Sequence, residues 1–388
     1  MDYVKNASNF VHISYKKSLS GIYSIFHFLV VIRLHYILHF VIITYKLTTL
    51  EGVKMRSLIK LLAIISMALF TQTAANAACG KITYANMNWA SASLMANIDK
   101  IILEKGFGCE VELLPGDTMP SFTSMNEKGQ PDVAPELWAN SVMSPLKKAV
   151  GEGRIHIVNK GPITGLGEGW FVPPYTMKKH GIKTVQDLLK RPDLFPHPED
   201  KSKGAFVGCP AGWGCQLINN QLFKAFEMEA KGWKLVDPGS AAGLDGSIAK
   251  AVERGDNWVG YYWSPTAIIG KYDMKLLDFG VKWGGDDNWH KCVVKPEQEC
   301  ATPKKTRWVD SEVYSVVTDN FKKSAGPDAM KYMKKRIYPG NVMNSMLVYM
   351  TDNQAEGEDA AMEFMKKHEK VWSKWVSSSV AKKIKAGI

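Results

Sequence analysis

Cys209-Pro-Ala-Gly-Trp-Gly-Cys215 leads directly into Gln216 and a helical pattern that runs on to Lys231. Its two cysteines stand six residues apart around Pro and Gly, so a disulfide between them closes a short, rigid loop. Such a loop holds one large ring, Trp213, at the start of a helix. That is a poor place for a core residue and a good place to display a ring to a ligand. The amides of Gly214 and Cys215 beside it fall at a helix N-terminus, where N–H groups have no intrahelical partner and favour anions. Glycine there lets the backbone come close to a ligand. Three more tryptophans share this kind of setting. Trp263 ends the strand pattern in Gly260-Tyr-Tyr-Trp-Ser-Pro265, Trp138 ends Pro131-Asp-Val-Ala-Pro-Glu-Leu-Trp138, and Trp89 follows Asn86-Met-Asn88 just past the first strand pattern. All four follow a strand end or open a helix, which is where open α/β sheets place their ligand sites.

Outward from these segments the chain alternates. Strand patterns occupy 81–86, 109–114, 259–263, 275–279 and 313–318; helical patterns occupy 91–105, 121–127, 140–152, 184–190, 216–231 and 242–254. The alternation predicts an α/β fold with mainly parallel sheets. The sequence has 388 residues, too many for one ordinary domain, and no internal repeat or low-complexity linker. Two lobes are expected, with the chain crossing between them near 169–173 and 308–314. Trp233, Trp258, and Trp372 with Trp375 on one face of the final helix, read as core residues. Gly165-Leu-Gly-Glu-Gly169 lacks the spacing of a phosphate loop and reads as a turn.

All 12 Trp and all six Cys lie after residue 77. Just before that point, Met55-Arg-Ser-Leu-Ile-Lys60, an apolar run over 61–70 and Ala75-Asn-Ala77 form the three parts of a secretory signal peptide. Cleavage after Ala77 leaves 311 residues. Lipidation of Cys79 is disfavoured, because Asn76 stands where a lipoprotein signal has an apolar residue. The run 21–45 is long enough to span a bilayer at about 1.5 Å per residue. Arg33, His35 and His39 near its middle make that costly. Residues 1–54 are therefore read as an upstream over-extension of the reading frame, with a membrane anchor as the alternative. An exported chain permits disulfides, and local spacing favours Cys79–Cys109, Cys209–Cys215 and Cys292–Cys300 over metal ligation. The first pair would join the ends of two neighbouring parallel strands.

The net charge of +11 is misleading as a guide to partners, because +6 of it lies in residues 1–77. The remaining +5 includes no basic run on an aromatic platform, so no nucleic-acid partner is expected. The region after residue 77 has no zinc-protease, nucleophile-elbow or phosphate-loop motif, and nothing nominates a catalytic pair, a metal or a cofactor. What remains is a set of Trp faces. Several faces converging on one cleft suit a group with positive charge and no hydrogen-bond donors, such as a trimethylammonium head, at roughly 0.5–2 kcal/mol per ring. Next to a helix end that binds anions, this fits a small zwitterion; stacking on a sugar is the other reading.

The seven-residue cysteine loop with Gln216, the Tyr261-Tyr-Trp263 segment and the stretch ending at Trp138 resemble the signature segments of glycine betaine- and proline betaine-type substrate-binding proteins of ABC transporters. The resemblance follows segment order from Lys81 to the Trp372/Trp375 region. It implies a bilobal periplasmic-binding-protein fold of the second topological class, with two mixed or parallel sheet lobes joined by two extended hinge segments: lobe I from 78–170 with 309–388, lobe II from 171–308. It also implies that Trp138, Trp213 and Trp263 box the quaternary head, while the Gly214 and Cys215 amides take the carboxylate. Some relatives have a His four residues after the Trp138 equivalent; here that place is Val142. Trp89 is a candidate fourth wall.

The expected function is that of a monomeric periplasmic receptor that hands an onium osmolyte to an inner-membrane permease and its ATPase. Glycine betaine or proline betaine ranks first, dimethylsulfoniopropionate close behind, and choline and trimethylamine N-oxide lower. A secreted enzyme acting on a quaternary amine or a sugar, and a sensor uncoupled from transport, are the alternatives.

Overall fold

The computed structural model describes residues 79–388. The expected signal peptide and the segment 1–54 lie outside the described residues. Among the described residues no helix is long and apolar enough to cross a membrane.

Ten strands alternate with helices: β1 (Lys81–Met87), β2 (Glu110–Gly116), β3 (Val133–Trp138), β4 (Ile155–Asn159), β5 (Gly167–Val172), β6 (Gly204–Val207), β7 (Trp233–Val236), β8 (Gly260–Ser264), β9 (Lys275–Leu276) and β10 (Val313–Thr318). They form two five-stranded sheets, ordered β2-β1-β3-β10-β4 and β7-β6-β8-β5-β9. The two orders are the same pattern written twice. In each sheet the fourth strand is supplied by chain that has just crossed from the other sheet, and it pairs antiparallel with both neighbours. Strands β1, β2 and β3, and likewise β6, β7 and β8, pair in parallel. The fold is thus α/β with two mixed sheets, the bilobal arrangement of periplasmic binding proteins.

The sequence explains the inserted strands. β10 is buried at all six positions, and Val313, Val316 and Val317 are the β-branched residues such a strand favours. Its one serine, Ser315, is satisfied in the interior: it donates to Pro135 O at 2.7 Å and accepts from Arg336 Nη2 at 2.7 Å. The parallel register Lys81↔Glu110 brings Cys79 and Cys109 to the same end of β1 and β2, where they are bonded with Cα atoms 4.3 Å apart. Cys209–Cys215 and Cys292–Cys300 are bonded as well.

Several expectations are corrected. The segment 165–169 is a turn only at its start. From Gly167 onward it is strand, and all of β5 pairs in the second sheet. The crossing therefore lies upstream of 169–173, and a lobe boundary at 170 would cut through β5. Tyr338 bonds the backbone of Pro162 and Thr164 to the first body, so the chain leaves that body just after Thr164. On the way back, Trp308 packs on Tyr261 and Phe279, and Val313 opens β10. The helix expected over 216–231 spans Gly214–Ala225; Glu227 then adopts φ of 57° and a short turn leads to β7. β9 is two residues long, because 277–279 turns inward to bury Leu277 and Phe279. Trp372 and Trp375 precede the final helix Ser378–Gly387 rather than lying on it, and both are buried in the first body's core.

That core contains a buried charge pair. Asp99 and Arg336 are both fully buried, with Nε 3.2 Å from Oδ1. Tyr84 donates to Asp99 Oδ2 at 2.8 Å and Tyr332 donates to Oδ1. Burial raises the Asp99 pKa, and the Arg336 charge and the two tyrosines hold it down. Removing one partner of such a pair leaves an uncompensated buried charge at a cost of about 3–5 kcal/mol. Arg336→Met is expected to lose stability on that scale in urea unfolding; a loss below about 1 kcal/mol would show that Asp99 becomes neutral without penalty.

Candidate functional site

The loops at the strand ends of both bodies meet in a cleft with about 360 Å³ of atom-free space, including the part open to solvent. Trp89, Trp138, Trp213 and Trp263 line it together with Gly214, Cys215 and Tyr261. All the residues singled out from sequence are therefore in one place. Trp89, the N-cap of the helix Ala90–Ile102, and Trp138, the last residue of β3, come from the first body. Trp213, the N-cap of the helix Gly214–Ala225, and Trp263 of β8 come from the second.

Trp213 stands edge-on between two other rings. Its centroid is 5.2 Å from that of Trp89 at 69°, and 5.0 Å from that of Trp263 at 81°. Near-perpendicular rings at this spacing form adjacent walls, and the T-shaped contact suits their quadrupoles. Tyr261 stacks beside Trp263 at 19°. The bodies also touch directly. Trp213 Nε1 donates to Asn88 Oδ1 at 2.7 Å, and Met119 N donates to Gly212 O at 3.0 Å. A Cβ at Gly214 would fall 1.9 Å from Ser141 Oγ, so only glycine allows this approach.

Two kinds of polar group face the cleft. The first is a set of donors. Gly214 and Cys215 open a 12-residue helix whose N-cap offers no side-chain bond, which leaves their amide N–H groups for a ligand. Ser141, in the short turn Ala139–Ser141, has a buried hydroxyl with no partner, and Thr118 is adjacent. Val142 lies in the core rather than on the cleft, and Asn140 and Ser141 are the residues of that turn that line the cleft.

The second is Glu168 of β5, the only charged residue among the described residues of the lining. Tyr261 donates to its Oε2 at 3.0 Å and Asn140 Nδ2 to its Oε1 at 3.1 Å. Burial pushes its carboxyl up to about 7; Trp308, Tyr261 and Asn140 pull it back only in part, and Trp308 Nε1 makes no bond of good geometry. Asn140 also donates to Asp310 O at 3.1 Å and accepts from Glu312 N at 3.3 Å. Both crossings are thereby tied to the cleft.

Sequence reasoning missed Glu168, Asn140, Ser141 and Glu136. Glu168 had a signal, a lone carboxylate within a glycine-rich stretch, but its role depends on a burial that no pattern reveals. Glu136, fully buried beneath the cleft, accepts from both Trp89 and Trp138.

The family model for the substrate binding domain of the ABC-type glycine betaine transport system matches residues 80–367. The chain belongs to this family of transporter substrate-binding proteins, whose members are not enzymes. Among solved structures, the glycine betaine, L-proline-binding protein of Borrelia burgdorferi is 17% identical with a TM-score of 0.61, covering 78% of this chain and 99% of that one. A choline-binding protein in complex with choline is 18% identical with a TM-score of 0.60, covering 80% and 98%. A lactococcal protein of the family, closed on glycine betaine, is 19% identical with a TM-score of 0.57, covering 77% and 100%. These likenesses establish the shared fold.

The Glu168 shift has a stability consequence. The folded protein holds a proton that the unfolded chain releases above about 4.5, so this contribution is complete below that pH and is lost as pH rises through about 7. At 1.36 kcal/mol per pKa unit the loss is about 3 kcal/mol. Glu168→Gln is therefore expected to gain stability relative to wild type between pH 5 and pH 8 in scanning calorimetry. A difference that stays flat across that range would show that Glu168 does not titrate there.

Proposed function

We propose that this chain is the periplasmic receptor of an importer for a small onium osmolyte, and that it closes on the solute and presents it to an inner-membrane permease driven by an ATPase. The observation that carries this reading is the corner in which Trp213 stands steeply inclined to both Trp89 and Trp263, rings contributed by both bodies, with Trp138 beside them and no Lys, Arg or His among the described residues of the lining. Such a surface offers a methylated cation three or four negative ring faces, and excluding water strengthens each contact. The Gly214 and Cys215 amides with the Ser141 hydroxyl receive a carboxylate, which Val142 cannot do. Glycine betaine and proline betaine fit best, with dimethylsulfoniopropionate next.

The two sheets with their helices act as lobes, and the crossings near 165–166 and 309–312 act as the hinge. Export to the periplasm is supported by the signal pattern over 55–77 and by the three disulfides. Glu168 favours a second ligand type: protonated, its carboxyl donates to an N-oxide oxygen, and ionised, it accepts from the hydroxyl of choline.

Titration calorimetry against glycine betaine, proline betaine, dimethylsulfoniopropionate, choline and trimethylamine N-oxide ranks these ligands. Trp213→Ala and Trp263→Ala are each expected to weaken binding of the preferred ligand more than tenfold with the circular dichroism spectrum unchanged. Wild-type affinity in both variants would overturn the box.

A further inference from the structure

Glu136, in β3, has a fully buried side chain that lies outside the cleft lining. Its Oε1 accepts from the indole N–H of Trp89 at 2.9 Å, from that of Trp138 at 3.0 Å, and from the Ser91 hydroxyl at 3.0 Å. Two walls of the cleft therefore hang from one oxygen. An indole whose N–H is committed to a carboxylate is fixed in orientation. The anion also pushes electron density towards the ring, which deepens the negative face that a cation meets. Oε2 has no hydrogen-bond partner.

In the core of the same body lies the Asp99–Arg336 pair. With both acids ionised, Asp99, Arg336 and Glu136 carry a net charge of −1, and among the described residues no basic side chain lines the cleft to cancel it. Burial raises the Glu136 pKa, while the bonds from Trp89, Trp138 and Ser91 and the Arg336 charge hold it down. A buried charge without a counter-charge is costly, and a ligand cation in the cleft supplies one.

We propose that Glu136 is a positioning residue for the onium site: it sets the planes of Trp89 and Trp138 and supplies, from beyond the ring edges, the negative charge that the head group neutralises. This rests on reading the cleft as an onium site.

Glu136→Gln keeps an oxygen able to accept from both indoles and removes the charge. Calorimetry on the full chain compares glycine betaine and choline with neohexanol, the uncharged carbon isostere of choline, read by displacement. The expected result is a loss of tenfold or more for the onium ligands, with neohexanol changed less than twofold. Equal losses for the onium ligands and neohexanol would mean that Glu136 only props the rings, and unchanged onium binding would mean that its charge is irrelevant; either overturns the inference. Ser91→Ala, outside the lining, removes one donor to the same oxygen and serves if Glu136→Gln does not fold. It is expected to lose about threefold for the onium ligands alone, and no selective loss overturns the inference. A wild-type chain that binds neither onium ligand overturns the onium reading itself, a result distinct from wild-type binding that survives Glu136→Gln.

Discussion

The cleft depends on the antiparallel insertion of one crossing strand into each otherwise parallel sheet. β10 enters between β3 and β4, and β5 enters between β8 and β9. The registers are specific: Val313 pairs with Trp138, and Glu168 pairs with Trp263. Each inserted strand thus runs alongside a tryptophan of its own sheet, held by ladder hydrogen bonds rather than by a flexible link. A one-residue slip would take Ser315 away from Pro135 O and Arg336, so that buried serine holds the register in which Val313 faces Trp138.

The charge distribution around the proposed onium site is uneven. The ring faces are in the cleft, and except for Glu168 the acids lie outside the lining. Ionised groups in the lining would keep water, which weakens a cation–ring contact. An acid reached through an indole N–H leaves the surface apolar while the field remains. Glu168, with a carboxyl near neutrality, adds a polar group without the full solvation of a permanent charge.

Much of this was legible in the sequence. The cysteine loop, the four tryptophans after strand ends and the pairing of cysteines by spacing all depend on local chemistry, and the structure brings those residues together. The strands β4, β6 and β7 gave no clear pattern, since they are short and their burial comes from the other elements of their sheets. The stretch 165–169 shows why glycine misleads: Gly165 does turn, with φ of 82°, but Gly169 sits in a central strand where a Cβ would meet Leu276 at 2.8 Å. The helix after Cys215 ends at Ala225 although Phe226 and Met228 continue its apolar pattern past that end, buried there by tertiary packing. Glu136 and Glu168 were invisible as site residues because their significance comes from the depth at which folding leaves them.

Asn140 bonds Glu168 at the start of β5, just past the outward crossing, and the backbone at Asp310 and Glu312 on the return crossing, from within the cleft wall. It is in effect a pivot pin through both arms of a clasp. When two bodies turn about a pinned point, displacement grows with distance from the pin. The loop carrying Trp213 is joined to the other body by the Asn88 and Met119 bonds, so any turn about that point that opens the cleft has to break them.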